Sequence, residues 1–240
     1  MIERKADIIA RLQKQILRIQ GFKTIAADNE VQLGPVLDAF PNHIFPTGVI
    51  HEFIAAGKED AAATGGMIAG IVAALMKQKG VVVWVSNCRT IFPPALYRFG
   101  IRPEHFIFID LKKEKDLVWA MEEALKCGAV TAVVGELKEL SFTISRRLQL
   151  AVEQSQVTGF IIRHLPCALN TTACVTRWKI TSLPSETEDG LPGISFPRWK
   201  VELLKVRNGK LGVWQLEWKN RQFNAIDEHQ PLEILQHQTA

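Results

Sequence analysis

The sequence has 240 residues, of which 47% are hydrophobic and 22% charged, enough apolar material for one α/β domain with a sizeable core. No N-terminal stretch has the charged, apolar and small-residue order of a signal peptide, and the longest low-charge run, residues 68–76, is too short to span a bilayer. We therefore expect a cytoplasmic protein with no membrane contact. The net charge of +4 permits contact with nucleic acid or an acidic partner without demonstrating either.

Residues 2–20 have the pattern of a basic amphipathic helix, which Gly21 ends. Nothing next to it in the sequence covers its apolar stripe, so the helix is expected either to fold back on the domain or to dock on another protein. The predicted domain organisation is this helix over residues 1–21, a connector over 22–48, a core over 49–219 and a flexible tail over 220–240. The stripe is formed by Ile2, Ala6, Ile9, Leu12, Ile16 and Ile19.

Residues 49–76 have the order of a phosphate-binding unit: an apolar strand, a loop of small residues and an apolar helix. Aligned with GxxxxGK[ST], the loop keeps its first glycine and its final threonine. Alanine replaces the lysine, and the methyl of Ala63 cannot supply the charge that lysine places on the β- and γ-phosphates. A tight strand-to-helix turn packed against a sheet is the alternative. The predicted degenerate phosphate loop consists of Gly57, Lys58, Ala62, Ala63, Thr64 and Gly65.

Downstream, apolar runs alternate with helical patterns, which predicts an α/β fold with a mainly parallel sheet and helices on both faces. Strands are expected over residues 81–86, 106–110, 130–134 and 159–163, and helices over 95–99, 113–127 and 141–156. Alternating patterns follow over 173–180, 199–206 and 211–218, with Asn208-Gly209 between the last two. The sheet should therefore end in a C-terminal antiparallel hairpin.

Two sets of side chains are expected in the core. The cysteines have no metal-ligand spacing, and in a domain of this size buried thiols are favoured over a disulfide framework; they are Cys88, Cys127, Cys167 and Cys174. Four tryptophans on the terminal strands are expected to pack across them, although an exposed one would mark a partner surface. These are Trp178, Trp199, Trp214 and Trp218.

Elements in this order resemble the RecA recombinase core, and more closely the ImuA family, the RecA- and SulA-like accessory proteins of damage-induced mutagenesis. The resemblance covers about residues 33–218 and rests on collinear pieces, because no single motif is intact. The pieces include FPTGVIHEF at 45–53, VVVWVS at 81–86, residues 93–101 and 116–135, and SRRLQLA at 145–151 before GFIIRHLP. The fold that this implies is a RecA-like P-loop NTPase core.

The resemblance also implies lost nucleotide chemistry. Where RecA ends a strand with the glutamate that activates water, this chain has Ser86-Asn87-Cys88. The Walker B aspartate would fall at the end of residues 130–134, where this chain has Gly135 and then Glu136. Glu136 could approach a magnesium ion but more simply caps or solvates a strand end. We therefore expect no catalytic residue, no metal site, no cofactor and no ATPase activity, with weak ATP and magnesium binding as the alternative.

Strong DNA binding is not expected either. The segment equivalent to RecA's second DNA-binding loop, about residues 164–172, is short and nearly uncharged, so it cannot neutralise many phosphates. Arg146 and Arg147 could contact DNA phosphates, although on a helix surface they are more often solvated. Any DNA contact should be weak or indirect.

The function implied by the resemblance is that of a non-catalytic adaptor in the SOS-type DNA damage response and in error-prone translesion synthesis. Its partners would be an ImuB-like polymerase-family protein, an error-prone replicative-type polymerase and RecA. The N-terminal helix of RecA-like proteins packs on a neighbouring protomer, which makes Ile9, Leu12 and Ile16 the first partner-binding candidates and the tail the second. A SulA-like division inhibitor that binds FtsZ and a weak ATP-binding RecA paralogue remain as alternatives.

Overall fold

The computed structural model describes residues 31–76, 80–87, 89, 91–164, 169–185 and 195–226. The helix predicted over residues 2–20 and most of the predicted tail lie outside this part. The helices are α1 (Lys58–Met76), α2 (Glu114–Lys126) and α3 (Phe142–Ser155). The strands are β1 (Ile50–Ala55), β2 (Val82–Ser86), β3 (Phe106–Asp110), β4 (Ala132–Leu137), β5 (Thr158–His164), β6 (Thr176–Leu183), β7 (Arg198–Val206), β8 (Gly212–Lys219) and β9 (Gln222–Ala225).

All nine strands join one sheet in the order β3-β2-β4-β5-β1-β6-β7-β8-β9. Neighbours from β3 to β6 pair in parallel, whereas β6 to β9 pair antiparallel. The β7–β8 turn contains Asn208 with φ of 58°, a conformation that asparagine tolerates in hairpins. The mostly parallel α/β sheet with a terminal hairpin is therefore as the sequence predicts.

The sheet has a separate core on each face. On one face, which we call the α1 face, α1 packs against side chains such as Phe53, Trp84 and Trp178. On the other, the α2/α3 face, the two shorter helices cover a second set that includes Ile50 and Val133. Because side chains alternate along a strand, each of the strands β1 to β5 contributes to both cores.

Helix α1 is 19 residues long and by length and composition could cross a membrane. Its apolar side chains are instead accounted for by the core, where Met67, Ile68 and Ile71 are fully buried. Small residues let the aromatic rings of the last strands approach it. A Cβ at Gly70 would lie 2.5 Å from Cζ of Phe223, and one at Gly66 would lie 3.0 Å from Cζ2 of Trp199. The sheet therefore closes tightly around this helix.

The described part of the predicted connector belongs to the core. Leu33, Val36, Phe40 and Phe45 are buried, and Phe40 packs against the ring of Trp178. Turn formers dominate the segment, so its apolar residues have no periodicity to identify them. They occupy short 3-10 turns over Gly34–Ala39 and Pro41–His43 instead of a regular element.

Three further details test the sequence predictions. The loose tail predicted from residue 220 is wrong over Gln222–Ala225, which form β9 because Phe223 packs on Trp218 at a ring distance of 4.7 Å. Burial is confirmed for Cys174, but Cys127 is exposed because it caps the surface end of α2; the other two cysteines lie outside the described residues. The tryptophan prediction is confirmed, since three are buried and Trp214 packs against the same core.

Candidate functional site at the carboxyl edge of the sheet

The junction between β1 and α1 contains only Ala56 and Gly57. The loop predicted over residues 57–64 is therefore wrong, because α1 begins at Lys58 and the N–H of Ala61 donates to the Gly57 carbonyl at 2.9 Å. Alanines have the highest helix propensity, and the acidic pair Glu59 and Asp60 stabilises a helix N-terminus. No loop is left at this junction to wrap around a phosphate.

The individual residues of the predicted loop now have defined positions. Lys58 is exposed in the first turn, Ala62 faces outward, and Ala63 is buried. Thr64 is fully buried, and its hydroxyl has no hydrogen-bond partner in the described part of the chain. The hydroxyl thus faces the protein interior, whereas a phosphate loop presents it to magnesium.

Beside this junction lies a groove of about 630 Å³, which we call the α1 groove. Its floor is made by small residues of α1, including Ala62, Gly65 and Gly66, and its walls by the 3-10 turn Pro93–Phe99 and the start of β7. Phe92, 68% exposed, stands at the rim. Glu59 and Arg98 are the charged residues of the lining, so the groove suits apolar side chains better than a triphosphate.

Glu136 lies on β4 and faces the α1 side of the sheet. It is 4% exposed, and both carboxylate oxygens are engaged: the indole N–H of Trp84 donates to Oε1 at 2.7 Å, and Nε2 of His164 lies 3.0 Å from Oε2. The solvated strand end expected from the sequence is therefore wrong. Among the residues that the structure describes, no group of three or more His, Cys, Asp or Glu side chains could hold a metal ion.

The ends of β2 and β3 carry a second polar group at this edge. Ser86 donates its hydroxyl to Asp110 at 3.0 Å, and Arg89 pairs with the same carboxylate at 2.6 Å. The resemblance to RecA predicts that the segment beginning at Ser86 replaces a water-activating glutamate, and a hydroxyl that donates to a carboxylate has no comparable basicity. Asp110 is itself ion-paired with Arg89.

A buried polar cluster surrounds Glu52, and the sequence did not predict it. Glu52 and Arg163 are both fully buried and paired at 2.9 Å. The other carboxylate oxygen accepts from Arg177 at 2.9 Å and from the hydroxyl of Thr172 at 2.7 Å. A charge inside a buried strand is costly unless it is paired, so Glu52 within the apolar β1 run was the signal that could have predicted a cluster.

This Glu52 cluster holds residues 169–173 against the sheet. Asn170 accepts from Arg163 at 3.1 Å through its side chain and from Arg177 at 2.6 Å through its backbone carbonyl. Its own amide donates to the Leu140 carbonyl at 2.7 Å. The described end of the segment compared with RecA's DNA-binding loop is therefore tied down by hydrogen bonds. Burial, with Glu52 nearby, also raises the pKa of the Cys174 thiol to about 12.

His51, the neighbour of Glu52, lies on the α1 face between the rings of Phe45 and Phe160, with centroid distances of 4.6 and 5.3 Å. Burial lowers its pKa to about 3, so the ring is neutral at pH 7. Its Nε2 must carry the hydrogen, because its partner at 2.9 Å is the carbonyl of Pro46. Nδ1 then accepts from the hydroxyl of Thr176 at 2.7 Å. His51 is thus a neutral core residue.

The remaining candidates are separated from this edge. Arg146 lies 3.6 Å from Glu153, and Arg147 pairs with Glu122, so both arginines are on the exposed surface of α3 with an acidic partner. A DNA phosphate would have to compete with these carboxylates. The partner-binding candidates Ile9, Leu12 and Ile16 lie outside the described residues.

Comparison with known proteins gives three findings, and no protein-family model matches the chain. Protein ImuA of Caulobacter vibrioides strain NA1000 is 32% identical over 196 residues, which cover 76% of this chain and 80% of that protein, and ImuA of a second Caulobacter vibrioides strain gives the same values. The crystal structure of SulA from Pseudomonas aeruginosa aligns with a TM-score of 0.41 and 21% identity, over 48% of this chain and 97% of SulA. That similarity is too low to carry an argument. The sequence identity to the two ImuA proteins confirms the predicted family: the chain belongs to the ImuA family.

Proposed function

We propose that this protein is a non-catalytic adaptor of damage-induced mutagenesis that works through protein–protein contacts in the cytoplasm. Membership of the ImuA family supports a role in damage-induced mutagenesis. The observation that carries the non-catalytic part is the β1–α1 junction, which has no phosphate loop and has Ala63 at the position where the motif places its lysine.

The loss of ATP hydrolysis follows from the parts missing at this junction. Removing several groups that stabilise the transition state of phosphoryl transfer lowers the rate by orders of magnitude. Ala63 and the buried Thr64 offer neither a cation nor an accessible hydroxyl. Purified protein in saturating ATP and magnesium should therefore show no rise in melting temperature. A rise of several degrees that the Thr64→Ala variant lacks would contradict this and favour the ATP-binding RecA paralogue.

The proposed partner is an ImuB-like polymerase-family protein, with an error-prone replicative-type polymerase and RecA as further members of the assembly. We place the contact on the apolar stripe of residues 2–20, represented by Ile9, Leu12 and Ile16. Contact with DNA is proposed to be weak or indirect, since both α3 arginines already have acidic partners.

The test is retention of the full-length chain on the cognate ImuB-like protein. Ile9→Asp with Leu12→Asp should abolish retention, because two carboxylates would have to be buried in an apolar contact. The matched control, Ala10→Asp with Gln15→Asp, adds the same charge beside the stripe and should leave retention intact. Absence of retention for the unmodified chain, or equal loss in both variants, would refute the proposed contact.

The SulA-like alternative makes a separate cellular prediction. A division inhibitor that binds FtsZ produces filamentous cells when overexpressed, and we expect normal division from this protein. Filamentation that depends on the folded chain would overturn the adaptor proposal.

A further inference from the structure

A second cavity, of about 730 Å³, lies between the C-terminal half of α1 and β9. We call it the β9 cavity. It has room for several side chains, and its lining mixes polar and apolar groups, the polar share being the larger. The apolar lining residues are Ala73, Ala74, Met76, Phe99, Ile101, Trp218 and Phe223.

The charged residues of this lining are basic. Arg102 and Arg221 line it together with His105 and two glutamines, and no acidic residue does. Arg102 has one exposed acidic neighbour, Glu104, at 3.9 Å, a distance at which a surface pair contributes little. The guanidinium of Arg221 lies over Gly100, where an added Cβ would come within 3.2 Å of its Cζ. The cavity therefore combines apolar side chains with a positive rim.

Both ends of the described chain lie beside this cavity. Gln32, the second described residue, is part of its lining, and Gly34 lies against the carbonyl of Phe223. The last described residue, Ile226, follows Phe223 by three positions, and 14 residues continue beyond it. Fourteen residues span up to about 46 Å when extended, so either end of the chain can reach the cavity.

Charge distinguishes the two ends. Residues 2–20 carry five arginines and lysines against two acids, and the positive rim would repel them. Residues 227–240 carry three acids and no arginine or lysine, and they contain Leu232, Ile234 and Leu235. A segment with both acidic and apolar side chains is complementary to a cavity that has apolar side chains and a positive rim.

We propose that residues 227–240 bind in the β9 cavity, with their leucine and isoleucine side chains in its apolar part and their carboxylates toward Arg102 and Arg221. The C-terminal segment is thus an internal ligand of the domain. A partner with an acidic, apolar segment must displace it before using the same cavity. This inference is independent of whether the protein binds an ImuB-like partner.

Hydrogen exchange of the full-length protein, followed by mass spectrometry, tests the proposal. Amides of residues 227–240 should exchange several-fold more slowly than in a free peptide of the same sequence. Arg102→Glu with Arg221→Glu should restore fast exchange, because the rim would then repel the carboxylates. The control Arg207→Glu with Lys210→Glu makes the same charge change at exposed positions of the β7–β8 turn and should leave the exchange slow.

A second variant keeps the result independent of folding. Leu232→Asp with Leu235→Asp alters only the segment and should also restore its fast exchange, while the exchange of β1 and β4 is unchanged. Fast exchange of residues 227–240 in the unmodified protein would overturn the proposal, as would slow exchange that both cavity substitutions leave intact. If the protection rises with protein concentration, the occupant of the cavity is a second copy of the chain. If the cavity substitutions speed the exchange of residues 1–30, the occupant is the N-terminal end. Either result also overturns the proposal.

Discussion

Two adjacent residues of β1, one on each face of the sheet, are buried by opposite means. On the α1 face, His51 is stacked between aromatic rings and kept neutral. On the α2/α3 face, Glu52 is surrounded by arginines and a hydroxyl that donate to its carboxylate. At β1 the α1 face thus buries a neutral ring, whereas the α2/α3 face buries a charge and compensates it. The burial of His51 depends on rigid ring packing, and that of Glu52 on a hydrogen-bonded ion cluster. Different substitutions should therefore destabilise the two faces.

The largest loss of stability is expected from Glu52→Gln. The substitution leaves Arg163 and Arg177 in the buried cluster without the carboxylate they share, and loss of one partner of a buried ion pair typically costs about 3–5 kcal/mol. Urea unfolding measures the change. Glu139→Gln is the control: it pairs with the same arginine but is 59% exposed, so it should cost less than about 1 kcal/mol. Equal costs would show that the cluster does not depend on Glu52.

The next largest loss of stability is expected from a substitution that crowds the packed rings of the α1 face. Gly70→Ala places a methyl group against the rings of Phe223 and Trp218, and overpacking of this kind typically costs about 1–3 kcal/mol. Gly65→Ala is the matched substitution in the same helix, because a Cβ there meets nothing within 4 Å. It should stabilise the protein by about 0.5–1 kcal/mol through helix propensity alone. A loss of stability in Gly65→Ala would contradict a helix that begins at Lys58.

His51 predicts a pH dependence specific to the α1 face. Its pKa is about 3 in the folded protein and 6.5 ordinarily, so between these values the unfolded chain binds a proton that the folded chain does not. Stability should therefore fall as the pH falls below 6.5, by about 1.4 kcal/mol per pH unit from this residue and roughly 2 kcal/mol by pH 5. Unfolding free energies at pH 7.5 and pH 5 should differ less in His51→Gln than in the unmodified protein. Identical differences would show that the ring is not held neutral.

The smallest loss of stability is expected from a glycine-to-alanine substitution on the α2/α3 face. A Cβ at Gly135 of β4 would overlap the Sδ of Met121, which lies in the α2/α3 core. Methionine is unbranched and flexible, so the side chain can move aside, and Gly135→Ala should cost less than about 1.5 kcal/mol. Thermal unfolding of this variant and of Gly70→Ala in one buffer measures the difference. A larger loss from Gly135→Ala would mean that the α2/α3 face is the more rigid of the two.

Local patterns were sufficient for most of the fold. The continuous run over 81–86 and the Asn208-Gly209 dipeptide predicted a buried strand and a hairpin because both signals lie within a few residues of sequence. The start of α1 was not predicted because Gly57 and Thr64 match the ends of a phosphate-loop motif, although three alanines after an acidic pair favour a helix.

Long-range contacts explain the rest of what the sequence did not predict. Arg163 is 111 positions from Glu52, and no periodicity within either strand identifies the pair. β9 has four residues, too few for an alternating pattern to be recognised. The β9 cavity likewise exists only because α1, β9 and residues 99–105 meet in space. The sequence therefore predicted which residues the candidate site lacks, such as the lysine. It did not predict the contacts that the residues present make with one another.

The contact between Gly34 and the carbonyl of Phe223 affects how the protein is completed on the ribosome. The segment around Gly34 leaves the exit tunnel early, but its partner strand is among the last parts of the described domain to be made. Until β9 emerges, the ring of Trp218 lacks its Phe223 neighbour, and the nascent chain exposes an aromatic surface. Chains terminated before residue 222 should consequently be substrates for chaperones and proteases, which links the supply of functional protein to complete translation.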